Sequence, residues 1–230
     1  MSEHTLRSAA SYAGLILMMA VTSLLAVLLI GPVTEAGLGA FEDPDSVLNA
    51  FLFIFAMLVV TAVLLILIKW KAQQVISIII GFSLAAVIYY VVMALLRQLG
   101  LGIWADVGGV IFGIGIIALL WFYPEWYVIN IAGIVVAAGC AAIFGVSLSL
   151  LPVLILLVLL MVYDFIAVKR SKHMLTLADG VLRQKMPIMF LVPKTKGYSY
   201  RKSGFSTRDS KGERGAYMIG MGDVIMPAIL

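Results

Sequence analysis

Six runs of about 20 apolar residues, parted by short polar breaks, constrain this chain more than any other feature, because a helix rising about 1.5 Å per residue needs that length to cross hydrocarbon. The runs are Ala9 to Ile30, Val47 to Ile68, Gln73 to Leu96, Ile103 to Phe122, Trp126 to Ser147 and Leu150 to Val168; a seventh begins near Ala216. Hydrophobic residues make up 63% of the chain and charged ones 12%, which excludes an ordinary soluble domain. The expected fold is all-α: a polytopic transmembrane helical bundle with six full spans and the start of a seventh. The first run lacks a small-residue cleavage signature and exceeds a secretory h-region, so it reads as a retained span. The lone cysteine, Cys140, lies inside the fifth run and reads as packing, with neither a disulfide framework nor a thiolate metal cluster available.

Lysine and arginine decide orientation, since positive flanks stay cytoplasmic. With the amino terminus inside, Arg7, Lys69, Lys71 and the basic residues from Lys169 to Arg214 fall on the cytoplasmic side and only Arg97 falls outside. The first external loop then carries Glu35, Glu42, Asp43 and Asp45, and the basic pI of about 9.2 reduces to one internal loop that touches anionic lipid, without nucleic acid as a partner. Three regions follow: 1–168, a six-span bundle; 169–215, a basic cytoplasmic loop; and 216–230, the start of the seventh span. Within the loop, Met174, Leu175, Leu177, Val181 and Leu182 line one side of an amphipathic helix, and "PIMFLVP" reads as a short strand between prolines. Small residues predict close helix packing: Gly109 and Gly113 in the fourth run, and Gly133, Ala137, Ala141 and Gly145 at every fourth position of the fifth. No repeat suggests a solenoid or an inverted-repeat transporter.

Two acids stand apart from those of the loops, tails and span ends. Asp164 lies in "LLVLLMVYDFIAVKR", about 7 to 8 Å inward of the basic edge, and Asp223 follows Gly220 and Gly222 in "GMGDVIMPAIL", entering from the same cytoplasmic side. A carboxylate in hydrocarbon is costly, so such residues face protein or a wet cavity and are functional by default, although a helix–helix hydrogen bond is the plainer alternative. If the spans adjoin, like charges a few ångströms apart do not both ionise cheaply, and a pair sharing one proton is the aspartic-protease arrangement for activating water. Histidines occur only outside the spans, at His4 and His173, and no His-Glu-x-x-His is present, so zinc and serine–histidine chemistry lack their groups; Ser147 reads as helix packing. No metal or other cofactor is expected.

"VYDFIAV" followed by "GMGDVIMP" resembles the presenilin and signal peptide peptidase group of intramembrane aspartyl proteases, and "YPEWYVINIAG" with "FGVSLSLLPVLILLVLLMVYD" is similar to the archaeal presenilin-like members. The resemblance implies that Asp164 and Asp223 are the catalytic pair, with Tyr163, Gly220, Met221 and Gly222 as motif neighbours. It also implies that Tyr217, Met218 and Ile219 form a strand that pairs with substrate. Substrates would be single-span transmembrane proteins or peptides. The family has nine spans and a Pro-Ala-Leu motif in the last; "PAIL" at Pro227 to Leu230 does not replace it, so the chain is expected to be a fragment, or to take later spans from a homo-oligomer or a complementing chain. Two other classes stay open: a transporter or cation channel using the acids as proton or ion ligands, and an inactive piece with a packing or binding role. Prepilin peptidases share G-x-G-D, but the sequence after their aspartate differs from "VIMPAI".

Overall fold

A computed structural model describes residues 3–166, 189–193 and 216–229, with the backbone alone over 3–11. In chain order these form α1 (Glu3–Glu35), α2 (Leu48–Lys69), α3 (Gln73–Gln98), α4 (Ile103–Phe122), α5 (Trp126–Ser147), α6 (Leu150–Ile166), β1 (Met189–Pro193), β2 (Ala216–Gly220) and α7 (Met221–Ile229). The first five helices are long and apolar enough to cross a membrane, and α6 adds a shorter apolar helix of 17 residues. The amphipathic segment expected around Met174 to Leu182 lies outside the described residues.

Helix boundaries follow local chemistry. Pro124 cannot continue α4 and pushes Tyr123 out of the helical region, while α5 starts directly after Glu125. Gly100 and Gly102 take positive φ values of 79° and 51°, which turn the chain sharply from α3 into α4. At α1 the helix runs past both ends of the apolar run, because hydropathy marks the hydrocarbon while the hydrogen-bonded turns continue beyond it. The apolar stretch from Ala216, expected as a span start, divides instead: five residues pair as a strand, and the helix begins only at Met221. Glycine at 220 and 222 weakens helix there, and pairing with β1 satisfies the backbone.

α5 is the centre of the bundle. More than half of its span is buried, whereas α2 buries only Asn49 and Ala50, and α5 packs on α1, α3, α7 and β1. Its buried face is small: Ala132, Gly133, Ala137, Ala138, Gly139, Ala141 and Ala142. At Gly139 an added Cβ would stand 2.3 Å from Val91 of α3. The α3–α4 pair is equally close, since a Cβ on Gly109 would meet the Tyr89 carbonyl at 2.9 Å and one on Gly113 the Ala85 carbonyl at 3.0 Å. Hydrocarbon tails are as apolar as leucine, so contact of this kind, rather than hydrophobic expulsion, holds such helices together. α2 and α6 form an outer pair, joined through Ala50, Leu148, Val153 and Leu156.

The end of the bundle opposite the strands is tied by polar groups. Arg97 forms an ion pair with Asp106 at 3.2 Å, and the Tyr89 hydroxyl donates to the same carboxylate at 2.9 Å, closing the α3–α4 hairpin. Ser147 is buried as helix packing would have it: its hydroxyl donates to the Ile143 carbonyl and accepts the Ala40 N–H at 2.7 Å. Because the obstacle at Gly109 is backbone, Gly109→Ala should separate α3 from α4 and cost about 1–3 kcal/mol. A thermal scan of the detergent-solubilised protein should show a midpoint several degrees lower; an unchanged midpoint would mean that the pair is not closely packed.

Candidate active site

Strand β1 is held along both edges. On one it pairs antiparallel with β2, placing Phe190 opposite Ile219, Leu191 opposite Met218 and Val192 opposite Tyr217. On the other, the carboxamide of Asn130 stands in for a strand: Nδ2 donates to the Leu191 carbonyl at 2.6 Å, and the Leu191 N–H donates to Oδ1 at 2.8 Å. Successive residues of a strand turn their main-chain groups to alternate edges. With Leu191 facing Asn130, Phe190 and Val192 face β2. Ile219 and Tyr217 answer them, and Ala216, Met218 and Gly220 direct their main-chain groups to the outer edge of β2. Among the described residues no further strand pairs there.

Both faces of β1 are covered. Phe190 joins Leu84, Ile88, Val136, Met221 and Val224, while Leu191 joins Leu120, Val128, Ile129 and Ala132. Gly133 of α5 makes room for Phe190, whose ring edge would lie 3.1 Å from a Cβ there. Tyr12 of α1 packs its ring on Tyr217 with centroids 5.1 Å apart. The ribbon is thus seated between α1 and α5, and its last residue, Gly220, leads straight into α7.

Asp223 is the third residue of α7, where the unpaired N–H groups of a first turn favour a carboxylate. Its side chain folds back over the strand end: a Cβ on Gly220 would stand 3.0 Å from Asp223 Oδ2, whereas one on Gly222 would meet nothing within 4 Å. The two motif glycines therefore differ, and only the first is required by the acid's position. Asp164 lies near the end of α6, next to half-buried Tyr163, and comes within electrostatic reach of Asp223. The helices carrying the acids rest on different neighbours, α6 on α2 and α7 on α5 and α1. Both carboxyl groups are exposed, so neither is sealed away from water or a substrate. Among the described residues, no cluster of His, Cys, Asp and Glu has the makings of a metal site.

Residues 15–230 match the model of the family described as signal-peptide peptidase, presenilin aspartyl protease. The chain belongs to this family. Two solved structures of presenilin family intramembrane aspartate proteases resemble it: one in space group C222 at 38% identity with a TM-score of 0.63, the other in P2 at 40% identity and 0.66. Each alignment covers 94% of this chain, and 75% and 74% of the respective solved chains. No curated protein matches. As a family member the chain is an intramembrane aspartyl protease, an integral multi-pass membrane protein acting on transmembrane substrates.

Of the residues expected from sequence, Asp164 comes within electrostatic reach of Asp223, Tyr163 precedes it in α6, and Tyr217, Met218 and Ile219 lie in β2. Asn130 was not singled out, though an amide inside an apolar span is a signal in its own right. The contact of Tyr12 with Tyr217 had no sequence signal, since it joins residues far apart in the chain. Gly220→Ala should push the Asp223 carboxyl aside by a few tenths of an ångström and lower kcat about tenfold, with folding intact. Gly222→Ala, with open space around it, should cost less. Equal losses in a proteolysis assay would refute this distinction between the glycines.

Proposed function

We propose that Asp164 and Asp223 are the catalytic dyad of a GxGD-type aspartic endopeptidase that hydrolyses peptide bonds within or near transmembrane segments. What carries this reading is that two carboxyl groups from distant parts of the chain lie within electrostatic reach of each other, one of them just past the point where a strand with an open edge gives way to α7. The dyad shares one proton. The ionised carboxylate takes a proton from a water molecule as its oxygen attacks the scissile carbonyl, and the protonated carboxyl hydrogen-bonds the developing oxyanion. Collapse of the tetrahedral intermediate breaks the C–N bond. The amine leaves with a proton from one carboxyl, and the dyad again holds one proton.

A transmembrane helix hides its carbonyls in its own hydrogen bonds, so the bond to be cut must first be unwound. The outer edge of β2 offers a compensating set of partners: an extended substrate segment hydrogen-bonds to the outward-facing main chain of Met218 and its alternates, by strand addition. Such pairing reads backbone rather than side chains, which suits varied apolar substrates. In the proposed orientation the amino terminus and the 169–215 region are cytoplasmic, and the dyad lies toward that face, where the basic residues collect.

Asp164→Asn and Asp223→Asn, each assayed in nanodiscs against a single-span substrate, should lower kcat by about a thousandfold or more. Retention of turnover within about tenfold of the unaltered protein would rule out the dyad. Met218→Pro removes the outward N–H without touching the pairing with β1. It should raise KM and depress cleavage while the thermal midpoint holds, and undiminished cleavage would count against strand addition.

A further inference from the structure

We propose that Tyr217, its ring braced by Tyr12 of α1, is a specificity-determining residue. When an extended substrate segment pairs with the outer edge of β2, Tyr217 selects an aromatic or β-branched side chain about three or four residues from the bond that is cut. The proposal rests on the strand-addition reading of β2.

The two faces of β2 are unlike. Side chains alternate along a strand, and cross-strand partners share a face, so Tyr217 and Ile219 lie on the face of Val192 and Phe190. α1 backs that face: a Cβ on Gly14 would stand 3.4 Å from a Val192 methyl group, and Met18 packs against the cluster around Phe190. Ala216 and Met218 lie on the opposite face with Leu191, where Trp126 at the start of α5 packs on the same cluster as Met218. Gly220 has no side chain, but a Cβ built there would point to this second face and stand 3.0 Å from Asp223 Oδ2. The carboxyl group therefore lies on the Met218 face, level with the end of the strand.

That placement sets a scale along a bound substrate. A segment paired with the outer edge of β2 shares its pleat, so its side chains divide between the same two faces. The bond to be cut must come within hydrogen-bond reach of the Asp223 carboxyl, either directly or through one water, which puts it level with Gly220 or just beyond. Tyr217 precedes Gly220 by three positions, so the substrate residue opposite Tyr217 is about three or four residues from the cut. Antiparallel pairing is the more stable arrangement and places that residue on the carboxyl side. Its Cβ comes within about 5 Å of the Tyr217 Cβ, on the α1 face, whereas the next residue, level with Met218, turns to the other face.

Tyr217 is prepared for this contact. Its ring is half-buried and lies 5.1 Å from the ring of Tyr12, with the planes inclined at 48°, within the range of a favourable aromatic pair. A ring already held by a second ring has less rotamer freedom to lose when a substrate arrives. Aromatic and β-branched side chains make the better cross-strand partners for an aromatic ring, by up to about fivefold over alanine. By itself Tyr12, 54% exposed, would read as a tyrosine of the interfacial belt, which anchors a helix whatever the substrate. Its contact with Tyr217 ties it to the strand instead.

The test uses the full chain in nanodiscs and single-span substrates that are identical except for Phe, Val or Ala placed in turn at successive positions on either side of the cut. Values of kcat/KM give the preference at each position, and product masses locate the cut. The unaltered protein should favour Phe or Val over Ala by about two- to fivefold at the position about three or four residues to the carboxyl side. Tyr217→Ala should bring that ratio to within about 1.5-fold of unity, Tyr12→Leu should lower it part of the way, and Tyr217→Phe should keep it. A loss of stability alone slows every substrate alike and leaves the ratio untouched. If Tyr217→Ala does not fold, Tyr217→Leu is read in the same way. A folded variant without the ring that keeps the ratio overturns the proposal, as does a ratio that shifts equally at adjacent positions. Met218→Pro runs alongside: if its cleavage is undiminished, strand addition falls, and the ratios still decide whether Tyr217 meets the substrate.

Discussion

Within hydrocarbon, apolar helices gain nothing by leaving one solvent of methylene groups for another, and α5 supplies what replaces that missing force. Its glycines and alanines let neighbouring backbones approach until dispersion contacts are dense, and α1, α3, α7 and the strand ribbon converge on that one helix. The same smallness creates the space that Phe190 fills at Gly133. A larger residue at these positions would move the strand ribbon and α7, with Asp223, as a group.

A polar ribbon inside an apolar bundle is otherwise unfavourable, because unpaired main-chain groups at that depth are costly. The fold resolves this by giving β1 a partner on each edge, β2 on one side and a side-chain amide on the other. The outer edge of β2 remains to be satisfied by water or by substrate. Asp223 follows at the first turn of α7, where unpaired N–H groups again await an acceptor. Unsatisfied backbone and the carboxyl are thus concentrated at one place.

Much of this was legible in the sequence. Runs of apolar length located the helices within a few residues, since the bilayer imposes one length on all of them, and α4 and α5 fall on the expected residues. The small-residue stripe of α5 announced its close packing, though not its central position. Asp164 and Asp223 stood out because charge is rare in apolar spans. The strand at Ala216 was expected only through the family resemblance, because to hydropathy a short apolar stretch reads alike as strand or helix, and its pairing with β1 decides. The clamp at Asn130 joins residues on separate elements, so its partner, a backbone with no sequence identity, left no trace in the pattern.

The helices that carry the two carboxyl groups are anchored unequally. α7 leans on α5, the most enclosed helix, while α6 leans on α2, which buries only Asn49 and Ala50 at its start. The support of one acid is thus far less enclosed by this chain than the support of the other. A mismatch between apolar length and bilayer thickness is met in part by helix tilt, and packing against neighbours sets how far each helix tilts. With fewer neighbours to hold it, the α2–α6 pair has more freedom to tilt than α7, and any such tilt would carry Asp164 while leaving Asp223 in place.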